Sequence, residues 1–214
     1  MPSIRSVPFL VAVACVAAPL AAQDHAGHAM GAMTMTGMPE LRPIPAGVNI
    51  TPADVHFMQG MIAHHAQAIY MSHLAAKHGA DPRFLRFAIK IDQSQTAEIR
   101  LMRGWLVDHG QAAPDTSSYR TIMMPGMLTR EELQELASLE GTGFDRRFLE
   151  LMIRHHEGAL SMVADLFDTP GAGQEVDISV LANDIHTVQT AEIGLMRQML
   201  LDLPAPPARP TSGR

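Results

Sequence analysis

The sequence predicts an all-α protein, an antiparallel four-helix bundle built from two repeated helical hairpins with internal pseudo-two-fold symmetry. Two observations carry this. The segment Asp54-Val-His-Phe-Met-Gln-Gly-Met61-Ile-Ala-His64-His65-Ala-Gln-Ala-Ile-Tyr-Met71 returns 91 positions later as Asp145-Arg-Arg-Phe-Leu-Glu-Leu-Met152-Ile-Arg-His155-His156-Glu-Gly-Ala-Leu-Ser-Met162. A second phrase, Gln95-Thr-Ala-Glu98-Ile-Arg-Leu-Met102-Arg103, returns 94 positions later as Gln189-Thr-Ala-Glu192-Ile-Gly-Leu-Met196-Arg197. At about 100° per residue, Asp54, Phe57, Met61, His64, His65, Ala68 and Met71 fall on one helical side, and so do their repeat equivalents. No alternating apolar pattern argues for a strand, and repeated hairpins with short to moderate connections make a bundle.

The elements follow in chain order. Arg5, the uncharged run from Val7 to Ala22 and the small residues Leu20-Ala-Ala22 before Gln23 read as a secretory signal peptide over residues 1–22. Cleavage after Ala22 is preferred, which puts the protein in the periplasm or outside the cell. The one cysteine, Cys15, leaves with that segment; lipidation at Cys15, through the lipobox-like Ala12-Val-Ala-Cys15, ranks below cleavage. No disulfide can form within the chain, so stability must come from a core or a ligand.

Residues 23–50 are read as a disordered tail, His/Met-rich at His25, His28, Met30, Met33, Met35 and Met38, then Pro-rich. The domain proper is expected over 51–203, with repeat one at 51–110, a connector at 111–142 and repeat two at 143–203. Thr51-Pro52-Ala-Asp54 is a cap, a first-turn proline and an acid, which starts a helix; Thr142-Gly-Phe-Asp145 opens the third long helix in the same way without the proline. Asp54 and Asp145 are read first as caps. Asp81-Pro82 starts the second helix, on which Ile91, Gln95, Glu98, Met102 and Trp105 share a face before Gly110 and Pro114 end it. In the connector, Met123-Met-Pro-Gly-Met127 is a turn, and Thr129-Arg-Glu-Glu132 is a capping box for a short helix ending near Gly141. The fourth helix runs from about Asp177 to Leu203, with Gln189, Glu192, Met196 and Met199 aligned and Pro204 as its stop. The Pro-rich tail 204–214 is expected to be extended.

Composition narrows the function. A net charge of −6 without a basic patch excludes nucleic acid as a partner. After the signal, no segment is apolar for long enough to span a membrane. Sixteen Met and eleven His accompany one Cys. In an oxidising compartment, thioether and imidazole are the durable soft ligands, because neither is lost to disulfide formation.

The paired histidines His64, His65, His155 and His156 are the principal candidate metal ligands. A buried neutral imidazole needs a partner for each nitrogen; a metal satisfies one, and Glu98 or Glu192 can accept from the other. Adjacent histidines are about 100° apart, so one of each pair can face the bundle axis and the other a neighbouring groove or subunit. Met61, Met71, Met152 and Met162 are candidates through their His neighbours, and Met102 and Met196 are weaker ones, since Met stripes commonly just fill cores. His25 and His28 would collect ions in the tail. Thioether beside imidazole, with few carboxylates and no thiolate, favours copper as Cu(I), with Cu(II) held by imidazole as the alternative; zinc and iron rank lower. A di-iron centre in a bundle would use Glu-x-x-His on two helices, and neither histidine pair has Glu three residues before it.

These residues resemble the bacterial secreted family catalogued as domain of unknown function 305. Its signature, Phe-x-x-x-Met-x-x-His-His-x-x-Ala-x-x-Met with a downstream Ala-Glu-Ile-x-x-Met, stands twice here, at Phe57–Met71 with Ala97–Met102 and at Phe148–Met162 with Ala191–Met196. The resemblance spans Thr51 to Leu203 and implies a ferritin-like helical fold; some members are periplasmic copper-binding proteins. The expectation is therefore an extracytoplasmic copper-binding protein for buffering, tolerance or delivery, and not an enzyme. Its partners would be the metal ion and a copper exporter or another periplasmic copper protein, with a homo-oligomer left open. The rivals are a ferritin-like di-metal oxidase and a metal-free structural or interaction bundle.

Overall fold

The computed structural model describes residues 37–204, which form five α-helices and no strand. The signal segment, Cys15, His25, His28 and the last ten residues lie outside the described residues. Four long helices make two hairpins: α1 (Pro52–His78) with α2 (Pro82–Asp108), and α4 (Gly141–Asp168) with α5 (Val176–Asp202). The short α3 (Arg130–Ala137) lies in the connector, after a 3₁₀ turn at Ser118–Arg120 that the sequence did not announce.

Helix α1 starts where its residues dictate. The Thr51 hydroxyl accepts from the Asp54 amide, and the Asp54 carboxylate accepts from the Thr51 amide at 2.6 Å, a closed capping box with Pro52 at the first position. Thr129 and Glu132 close the same box on α3, which ends at Ala137, short of the expected Gly141. Gly141 instead opens α4, with Glu140 as its N-cap and no side-chain capping bond. Asp145 therefore does not cap its own helix, contrary to expectation. With α4 starting at Gly141, Asp145 sits in the second turn, away from the free first-turn amides, and reaches the α1–α2 loop. Its carboxylate accepts from Ala80 N at 3.0 Å and Asp81 N at 2.9 Å. Asp54 does the equivalent across the molecule, accepting from Gly173 N in the α4–α5 loop at 2.7 Å. Each repeat thus ties down the hairpin loop of the other.

Helices α1 and α4 pack on each other, and each is flanked by its own hairpin partner. Small and apolar residues surround α1 on most sides, so it is buried nearly throughout, as a central helix must be. The connector turn Met124–Met127 lies over the α1–α4 seam. Met124 packs its thioether on Gly60 of α1, while Pro125 and Gly126 sit directly on Gly158 of α4. Gln67 of α1 clamps the strap from below: its side chain accepts from Leu128 N at 2.6 Å and donates to Leu128 O at 3.0 Å.

The core divides into two apolar clusters, one at each end of the bundle. One holds Met58, Met61, Ile62 of α1, Ile99, Met102, Trp105 of α2, Met162, Val163 of α4 and Ile178, Ile185 of α5. The other holds Met71 and Ala75, Phe84 and Ile91, Phe148 and Met152, and Ile193 and Met196 from the same four helices. On every long helix buried polar residues interrupt the apolar run at or beside the boundary of the two clusters: His64, His65 and Gln67, Gln95, His155 and His156, Gln189. The bundle is therefore apolar, polar, apolar along its axis.

Candidate metal centre

The four histidines form the middle layer, and all are fully buried. His64 and His155 face each other across the α1–α4 seam, with ring centroids 3.7 Å apart. His65 and His156 turn outward to α2 and α5. Nε2 of His65 donates to Glu98 at 2.6 Å, and Nε2 of His156 donates to Glu192 at 2.9 Å. Each twin thus puts one ring on the axis and one against the neighbouring helix of its own hairpin, as a 100° step on a helix requires.

Because carboxylates and carbonyls only accept, these contacts assign the tautomers. His65 and His156 carry their proton on Nε2. His64 does too, donating to Pro125 O at 3.1 Å. In all three, Nδ1 is left with its lone pair, buried and without a hydrogen-bond partner. A carboxylate or carbonyl that holds one imidazole nitrogen and leaves the other free is the arrangement of a metal-ligating histidine. His155 goes further, since neither of its nitrogens has a partner. The connector turn has no counterpart in the second repeat, so the Pro125 carbonyl serves His64 alone. That carbonyl is a site feature that nothing beyond a Pro-Gly turn signalled in the sequence.

Burial, reinforced by the neighbouring imidazoles, pushes His64 and His155 well below the ordinary histidine range. Burial lowers His156 as well, opposed by the Glu192 carboxylate. Rings held neutral keep their lone pairs for a cation. The same shifts set an acid limit. A histidine whose folded pKa lies below its unfolded value of about 6.5 contributes no pH dependence above that value, and costs stability as the pH falls below it. Each such ring steepens the loss by about 1.4 kcal/mol per pH unit. The melting temperature of the metal-free protein should be level from pH 8 to 7 and fall from about pH 6.5 downward, ahead of the carboxylates.

The methionines flank the histidine layer, but not as the linear motif suggests. Met61, Met102 and Met162 share one cluster, and Met71, Met152 and Met196 share the other. The two methionines of one repeat motif are thus separated, and each joins its counterpart from the other repeat. Antiparallel packing of α1 on α4 causes this, bringing the early part of one motif beside the late part of the other. Neither Arg103 nor Arg197 pairs with the inner glutamates: Arg103 donates to Pro114 O and Arg197 to Glu157. Glu98 and Glu192 are left to the histidines, and Lys90 stands 3.9 Å from the second Glu192 oxygen. Among the described residues, no three His, Cys, Asp or Glu side chains gather as they would around one ion.

Comparison with known proteins bears on this geometry. The family model described as domain of unknown function (DUF305) matches residues 54–200. A DUF305 fragment from Deinococcus radiodurans is similar at 31% identity, over 72% of this chain and 99% of that one, with a TM-score of 0.63. A DUF305 protein from Streptomyces coelicolor, inferred to be secreted, is 29% identical over 70% of this chain and 93% of its own, with a TM-score of 0.63. CopM in its Cu(I)-bound form is 28% identical over 70% of this chain and 96% of its own, with a TM-score of 0.57; CopM is also solved with Cu(II), with silver and in the apo form. No curated protein matches the chain significantly.

Proposed function

The chain belongs to the DUF305 family, and from that premise we propose that it is an extracytoplasmic copper-binding protein that buffers Cu(I) or hands it on without turnover. The observation that carries the reading is the set of four buried imidazoles, each with at least one unpartnered nitrogen, between two methionine-bearing clusters. Such nitrogens are costly to bury empty-handed, and a soft cation compensates them. Copper and silver in CopM support the choice of ion, and the Streptomyces coelicolor relative supports the compartment. A di-metal oxidase is disfavoured by the donor set, which offers this layer two glutamates, each already engaged by a histidine.

The test is an anaerobic competition of the purified protein against a chromophoric Cu(I) chelator. The parent should withdraw Cu(I) at a definite stoichiometry, and bound copper should raise the melting temperature by mass action. The paired variants Met61→Leu with Met162→Leu, and Met71→Leu with Met152→Leu, keep volume and cost little stability. Each pair should lose Cu(I) affinity or capacity. A parent that cannot compete for Cu(I) would overturn the reading.

A further inference from the structure

Gln95 and Gln189 make no hydrogen bond in the site described above, and with His155 they are the least compensated buried groups among the described residues. Each is 2% exposed, and the side-chain nitrogen and oxygen of both lack any hydrogen-bond partner. A buried amide left unpaired is a standing penalty, and here four such atoms lie in one layer. The two glutamines are repeat equivalents, each three residues before the glutamate that engages a histidine. A feature that recurs at this cost in both halves points to a ligand.

Their register says which groups they share the layer with. On α2, Gln95 lies between Ile91, in one apolar cluster, and Ile99, in the other; on α5, Gln189 lies between Ile185 and Ile193 in the reverse order. Both are therefore level with His155, which lies between Met152 and Ala159 of the two clusters, and His64 faces His155 with ring centroids 3.7 Å apart. The donors at this level are amide oxygen and imidazole nitrogen, beside the Glu98 and Glu192 carboxylates. Sulfur lies in the layers above and below. Oxygen and nitrogen donors suit tetragonal Cu(II), whereas thioethers suit Cu(I).

We propose that the middle layer binds Cu(II) through the side-chain oxygens of Gln95 and Gln189 together with imidazole nitrogens of His64 and His155, whereas Cu(I) is held by the same imidazoles with the flanking thioethers. This rests on the copper reading above and adds to it a choice of co-ligand by oxidation state, amide oxygen for Cu(II) and thioether for Cu(I). The amide nitrogens are then left to water in the same space.

The experiment uses purified parent protein and two double variants, Gln95→Leu with Gln189→Leu and Gln95→Met with Gln189→Met. Cu(II) binding is read by competition with glycine and by its electron paramagnetic resonance spectrum, Cu(I) binding by the anaerobic chelator titration, and metal-free stability by thermal melting. The leucine variant should bind Cu(II) at least tenfold more weakly with an altered spectrum, keep its Cu(I) affinity within about twofold, and melt no lower than the parent because four unpaired polar atoms are gone. The methionine variant should also weaken Cu(II) and should tighten Cu(I), since it substitutes sulfur for oxygen at nearly equal length. It keeps the test decisive if the leucine variant folds poorly. Unchanged Cu(II) affinity and spectrum in both variants would overturn the proposal and leave the glutamines to buried water. Equal loss of both ions would overturn the choice of co-ligand by oxidation state. A parent that binds neither ion fails the copper reading itself, a result distinct from these.

Discussion

Replacing His155 by leucine should cost the protein about 100-fold in Cu(I) affinity, close to 2.8 kcal/mol, while leaving the metal-free fold as stable as the parent or more so. The two halves of that expectation have one cause. Both ring nitrogens of His155 are buried without a partner, so the metal-free protein gains no hydrogen bond from this side chain and bears the desolvation of two polar atoms. Leucine removes that penalty and retains most of the volume against His64, so no large cavity follows. The repeat equivalent behaves otherwise. His64 donates to the Pro125 carbonyl, and His64→Leu would orphan that acceptor and loosen the turn over the α1–α4 seam. His64→Leu should therefore lose both affinity and thermal stability, and His155→Leu affinity alone. Melting curves of the two metal-free variants, read beside chelator titrations, separate these outcomes. A destabilised His155→Leu would mean that the ring is structural, and the idea that it is held ready for an ion would fail.

The difference between these two equivalent residues also marks where sequence reasoning stops. The two hairpins, the caps at Thr51, Asp81 and Thr129 and the polar stripe on each long helix were legible because each is written in local spacing. The pairing of Met61 with Met162 was not read, although it follows once two copies of one motif are laid antiparallel. Asp145 reads as a local cap because its motif copies that of Asp54, yet the start of α4 at Gly141 sends its carboxylate to the opposite hairpin loop. Pro125 is legible only as part of a turn, since a carbonyl that serves a histidine 61 residues away has no side chain to declare it. The candidate site is thus legible in its side chains and illegible in its backbone, and the backbone breaks the symmetry of the repeat.

That backbone contact depends on a glycine, and Gly158→Ala should be the most destabilising single-methyl change in the domain. A Cβ at Gly158 would overlap the Pro125 carbonyl and lie 2.7 Å from Gly126 Cα, and these are main-chain atoms that no rotamer change can move aside. Alanine in a helix interior ordinarily gains close to 1 kcal/mol over glycine. Here that gain is outweighed by overpacking, and by the partial loss of two contacts the displaced strap would carry with it: Pro125 O with His64, and Leu128 with Gln67. We expect a net loss of roughly 2–4 kcal/mol, or about 5–10 °C in melting temperature for a domain of this size. Gly194→Ala on α5 is the control, because no heavy atom lies within 4 Å of its Cβ position, and it should hold or raise the melting temperature. The copper titration gives the second readout. With the strap displaced, His64 loses the acceptor that fixes its tautomer and orientation, so Gly158→Ala should weaken Cu(I) binding by about 10-fold without altering a ligand, as loss of an outer hydrogen-bond partner does at other metal sites. If Gly158→Ala melts with the parent, the strap does not bear on α4 as closely as its geometry states. If it unfolds early yet binds Cu(I) undiminished below its melting temperature, the Pro125 carbonyl has no part in preparing His64.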